Sequence, residues 1–236
     1  MPHNGGLDLA VGEKKESISV YGGMKVKGYS PSGRELCQRP CTLSFPVFYN
    51  NDKGYLTSFI CAESSVFVTE PQSVQVGHVE GAYNYKPELG LEYAFVSVYP
   101  QYFSDDISHK IAYSHCAKSG RGIVDVDEPL PIIPTPSQPL SIGDKVYAHG
   151  GARGMVSGEI LETGVTITVT RPGSCGKETE EFHGVVKVKM NKGYYSGDLG
   201  APVYIPLQVP GHSKQPVAVP VGQVVELHNH DANDIN

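Results

Sequence analysis

The chain has 236 residues, with 25 Asp and Glu against 19 Lys and Arg, for a formal net charge of -6. Its only short basic runs are Lys14-Lys15 and the alternating Lys187 and Lys189, so the electrostatic footprint that nucleic acid demands is missing and that partner is excluded. The 27 glycines and 18 prolines argue against long helices and for short strands joined by turns, and no run of 18 apolar residues offers a membrane span.

Residues 1–17 read as a flexible polar arm carrying Glu13, Lys14, Lys15 and Glu16. They lack the apolar core of a secretory signal. Either the protein is intracellular, or the chain is a mature form with an added Met. From Ile18 the pattern becomes strand-like. Val47, Phe48 and Tyr49 precede a turn signal at residues 50–54, and Tyr55, Leu56 and Thr57 follow it, which is the pattern of a hairpin. Residues 65–69 and 93–98 are further strands, rich in aromatic and β-branched side chains. Residues 104–116 read either as a helix, capped by Ser104 with Ile107, Ile111 and Ala112 on one face, or as an irregular excursion.

Residues 129–139 hold five prolines in eleven positions. Proline fixes φ and removes a donor, so this stretch reads as an extended, semi-rigid connector outside any sheet. Beyond it, residues 145–148, 155–160, 165–170, 186–190, 203–205 and 221–225 read as a second set of strands. Residues 165–170 and 186–190 alternate strictly between apolar and polar, placing one face on a core. Residues 229–236 form a polar tail. The predicted organisation is all-β: one antiparallel barrel over 18–128, the connector over 129–139, and a second barrel over 140–228.

Five cysteines stand at positions 37, 41, 61, 116 and 175, an odd count that leaves at least one thiol unpaired within the chain. With no Cys-x-x-Cys and no finger-spaced histidine pair, no structural zinc is expected. His228, His230 and Asp231 have chelating spacing but sit in the polar tail, and no metal is predicted there. Gly150 to Gly154 is glycine-rich, yet no helix follows to present a phosphate-binding N-terminus. It reads as a barrel turn, and no cofactor is expected.

Two segments carry a family resemblance. Gly197-Asp198-Leu199-Gly200-Ala201-Pro202 resembles the Gly-Asp-Ser-Gly-Gly-Pro loop of chymotrypsin-like serine proteases. Leu56-Thr57-Ser58-Phe59-Ile60-Cys61 resembles their Leu-Thr-Ala-Gly/Ala-His-Cys loop. The short bacterial, streptogrisin-like branch fits best. Ser19-Val20-Tyr21-Gly22-Gly23 is similar to that branch's mature start, and Glu92-Tyr93-Ala94-Phe95-Val96 to the strand bearing the family's aspartate. The proline connector falls where the family joins its barrels, and the stretch from Gly143 to Gly158 resembles the opening of the second barrel.

The resemblance implies two antiparallel barrels of the chymotrypsin-like type with a cleft between them. It also implies a dead centre. The triad needs a hydroxyl nucleophile, an imidazole base and an orienting carboxylate. Those positions hold Leu199, Ile60 and Glu92. Two of them have no group that attacks a carbonyl or takes a proton, and the reactive centre becomes an apolar patch. The family's oxyanion donors fall on the amides of Gly197 and Leu199, which do not depend on side-chain identity, although Ala201 replaces a glycine of the motif. Asp198 matches a buried loop-supporting aspartate, with His149 as its candidate charged partner or, on the plainer reading, only solvent.

By the same resemblance Cys41 pairs with Cys61, leaving Cys37, Cys116 and Cys175 unassigned, and the protein is secreted, an intracellular location being the alternative. Cys116 beside His115 hints at a thiol nucleophile, but strand neighbours point to opposite faces. Ser196 lies near the loop without a base. The function that follows is that of an inactive protease homologue binding a protein or peptide, with strand addition in the cleft as the mode. The alternatives are an active hydrolase with rearranged groups and a structural β-barrel protein.

Overall fold

The computed structural model describes residues 20–29, 41–59, 66–69, 74–102, 110–111, 130–133, 139–152, 154–173, 176–192, 198–208 and 216–225. Two β-sheets carry nearly all of this. The first contains β1 (Lys25–Tyr29), β2 (Cys41–Thr42), β3 (Pro46–Tyr49), β4 (Asp52–Thr57), β5 (Val66–Thr69), β6 (Gln75–Lys86) and β7 (Leu91–Val98), in the order β2-β1-β5-β6-β7-β4-β3. All its pairings are antiparallel.

β2 and β3 lie at opposite ends of that order, yet they are one run of chain. Between them, Leu43 bonds β1's side, its N–H donating to Met24 O at 2.9 Å and its carbonyl accepting from Gly23 N at 2.7 Å. Ser44 and Phe45 bond the other side, Ser44 N to Leu56 O at 2.6 Å and Leu56 N to Phe45 O at 2.9 Å. The sheet therefore closes on itself through residues 41–49, which removes its free edges over that stretch. Inside sit Val20, Val26, Cys41, Leu43, Tyr55, Val76, Val96 and Val98. Tyr55 is buried whole, and its hydroxyl donates to Val20 O at 2.8 Å. The β3–β4 turn is tighter than the sequence signal suggested. Asn50 and Asn51 alone form it, with φ of 48° and 70°, the conformation a two-residue hairpin loop requires and asparagine tolerates.

The second sheet contains β10 (Lys145–Gly150), β11 (Gly154–Gly173), β12 (Gly176–Met190), β13 (Pro202–Leu207) and β14 (Val217–Gln223), in the order β12-β11-β10-β13-β14. Two short strands, β8 (Lys110–Ile111) and β9 (Leu130–Pro131), pair with each other, and Ile132 just beyond β9 bridges Ala218 of β14 in parallel. Phe45 of the first barrel enters this barrel's core beside Leu130, Tyr204 and Ala218.

Three expectations change. Lys110 and Ile111 are strand, so the helix reading of 104–116 fails at those residues. The connector is not merely a spacer: Leu130 is fully buried and 130–132 pairs with two partners. Pro131 is accommodated because its ladder is only two residues long. Residues 155–160 and 165–170 are one strand rather than two. β11 absorbs the polar interruption at 161–164 through register shifts against β12 between Ile160 and Ile167, the local cost of a bulge being lower than that of ending the ladder. The resulting long hairpin reaches the first barrel at the 3-10 turn Pro87–Leu89. Val169 and Phe182 are buried on it.

Candidate functional site between the barrels

The loop from Asp198 to Ala201, within the protease-like glycine motif, is seated deep in the barrel interface. Asp198, Leu199, Gly200 and Ala201 are all buried. Leu199 is 5% exposed, and its carbonyl accepts from Thr42 N of the first barrel at 2.8 Å. Gly200 N donates to Val224 O at 2.9 Å, and Val224 N donates to Ala201 O at 3.0 Å. Gly200 has φ of +82°, and a Cβ there would stand 2.6 Å from Thr42 O and 2.8 Å from Ser58 N. Only glycine satisfies both the backbone conformation and the approach of the first barrel. The expected apolar surface patch is therefore not presented by Leu199, whose side chain is packed away.

Asp198 is supported by main chain. Its Oδ1 accepts from Ala152 N at 2.9 Å, and Gly150 lies directly against its carboxyl group. His149, the candidate charged partner, plays a different part. It is 1% exposed, its Nδ1 has no hydrogen-bond partner, and burial lowers its pKa to about 4. A neutral imidazole forms no ion pair with Asp198, because the desolvation cost of charging it there exceeds what any neighbour returns.

Glu92 stands on β7 opposite Tyr85 of β6 and is 3% exposed. Ser58 Oγ donates to its Oε1 at 2.6 Å. Gln223, from β14 of the second barrel, brings Nε2 to its Oε2 at 3.3 Å and hydrogen-bonds its main-chain carbonyl. The same nitrogen lies 3.4 Å from Thr57 O. The Glu92 carboxylate is thus held by a hydroxyl and an amide from opposite barrels. A third junction is Thr42, whose hydroxyl accepts from Gly151 N at 2.9 Å and whose carbonyl accepts from Thr57 Oγ1 at 2.9 Å.

The structure thus brings the Leu199 loop against Ser58, and Ser58 against Glu92. Ile60 and Gly197 lie outside the described residues, as do Cys37, Cys61, Cys116, Cys175, Ser196, His228, His230 and Asp231. Cys41 is buried and disulfide-bonded. Among the described residues no group of three or more His, Cys, Asp or Glu is placed to hold a metal, and no helix is long and apolar enough to cross a membrane. Sequence reasoning missed Thr42, Ser58 and Gln223 as partners. Ser58 sat inside a motif already singled out. Gln223 carried no signal, since its contact with Glu92 spans 131 positions.

No protein-family model matches the sequence, and no curated protein matches it. Solved structures do. Thermobifida fusca protease A superposes with a TM-score of 0.52 at 17% identity, over 80% of this chain and 78% of that one. Nocardiopsis protease gives 0.51 at 16% identity, over 79% and 78%. An α-lytic protease homologue, N4, gives 0.51 at 19% identity, over 79% and 80%. The fold is that of the chymotrypsin-like serine proteases. At such identities the likeness carries the double-barrel fold, and the chemistry must be argued from this chain's own residues.

Proposed function

We propose that this chain is a catalytically inactive serine protease homologue that acts by binding, with a protein or peptide as its partner. One observation carries the reading. The residue at the nucleophile position, Leu199, is aliphatic and 5% exposed, so the loop that would deliver a hydroxyl to a substrate is instead packed into the barrel interface. Ile60, at the base position, has no proton-accepting atom. Glu92 supports the same reading, since its carboxylate is engaged by Ser58 and Gln223. Without nucleophile and base, backbone donors and binding alone supply a small part of a protease's rate. An extended peptide added as a strand along the interface is the mode this architecture serves. A secreted location and a Cys41–Cys61 bridge belong to the same reading.

A fluorophosphonate probe tests it. The full-length protein should take up no label at neutral pH and should hydrolyse no peptide or ester above background. Stoichiometric labelling at a single serine would replace this reading with a hydrolase of rearranged groups. If Ile60, Glu92 and Leu199 converge, combining Ile60→His, Glu92→Asp and Leu199→Ser should give weak acylation by an activated ester. Single reversions should give almost none, because triad members act as a unit.

A further inference from the structure

The barrels meet along two seams of different construction. The first is main chain and apolar core. Thr42 N bonds Leu199 O at 2.8 Å, Gly151 N bonds Thr42 Oγ1 at 2.9 Å, and Phe45 is buried among Leu130, Tyr204 and Ala218 of the other barrel. The second seam is a grip on one hairpin, β6–β7, at two points. Gln223 reaches from β14 to the main chain and carboxylate of Glu92. From the long β11–β12 hairpin, the carbonyl of His183 covers Gly90, where a Cβ would lie 2.5 Å from that oxygen. Gly90 also has φ of +65°, so both its conformation and its missing side chain are used.

The Gln223 amide is lopsided. Its nitrogen faces three acceptors, whereas its Oε1 is buried with no partner. A buried orphan acceptor is unfavourable, so the arrangement is retained only by what the nitrogen holds. We infer that Gln223 and Gly90 form a latch that keeps the Glu92 hairpin closed on the second barrel, with the Thr42–Phe45 seam as the standing join. Releasing the latch separates β6–β7 from β14 and β12 and frees Glu92 Oε2 and the Gln223 side-chain amide for an incoming partner, while Ser58 keeps its bond to Oε1. The latch stands independently of what the cleft binds and of whether the centre is catalytic.

Native-state hydrogen exchange on the full chain tests this. Gln223→Met keeps the side chain's length and removes its donor. Amides of residues 84–94 and 221–225 should then exchange at least tenfold faster, while those of the β1–β5 and β10–β11 pairs keep their protection. Gly90→Ala should give the same footprint from the other grip point. Should Gln223→Met fail to fold, Gln223→Asn, one carbon too short to reach, takes its place. Uniform acceleration through both barrels would reduce Gln223 to an ordinary stabilising residue and overturn the latch. So would unchanged exchange at 84–94, or a Gly90→Ala footprint confined to the β11–β12 hairpin. None of these outcomes bears on labelling by fluorophosphonate, so the two readings fail separately.

Discussion

Asp198 and Glu92 are both buried carboxylates at the same barrel interface, and the donors described on them differ in kind. Asp198 leans on the Ala152 amide within its own barrel, a donor that survives every substitution at that position except proline. Glu92 depends on Ser58 and Gln223, one side chain from each barrel, and a change at either removes a donor. A loop supported by backbone is therefore a matter of shape, sensitive to what fits around it. A node of side chains is a matter of chemistry, sensitive to what each atom donates.

The shape side breaks most severely at Gly200. Ala there would take a left-handed φ and press its Cβ on backbone atoms of Thr42 and Ser58, adding strain to overpacking for about 4 kcal/mol. Urea unfolding should show this as a lower midpoint with an unchanged slope. On the chemistry side, Glu92→Ala should cost about 3 kcal/mol, since it strands two buried donors. Glu92→Gln should cost about half that. Equal losses for Ala and Gln would show that the node holds by packing rather than by its acceptor oxygens.

His149 sharpens the comparison through pH. Its pKa is about 4 in the folded chain against roughly 6.5 when unfolded, so between those values the unfolded state binds more protons. The associated stability is complete above pH 6.5 and is lost as pH falls through 4, on the order of 3 kcal/mol in all. Unfolding midpoints between pH 7 and 4.5 should therefore decline in the parent and decline less in His149→Leu. Asp198→Asn, which keeps an acceptor for the Ala152 amide, should be mild, about 1 kcal/mol. A loss approaching that of Glu92→Ala would mean that the Asp198 charge itself supports the loop. Smallest of all, Lys187→Ala removes the exposed ion pair with Glu162 and should change stability by less than about 0.5 kcal/mol.

The amino-acid sequence by itself determined the all-β class, a hairpin turning within residues 50–54 and the alternating strands of the second barrel. Each follows from interactions between near neighbours: turn chemistry, β-branching and period-two burial. It also determined that Leu199 and Ile60 carry no catalytic atoms, since that is a property of the residues alone. Only the tertiary structure decided that residues 41–49 close the first barrel on both sides, that β11 runs through its polar interruption, and that Leu130 of the proline-rich connector is core. Only there does Leu199 turn inward, His149 remain neutral beside a carboxylate's loop, and Gln223 become the partner of Glu92. These depend on burial and on contacts between positions far apart in the chain. Such contacts form only when whole sheets meet, and local sequence pattern does not encode them.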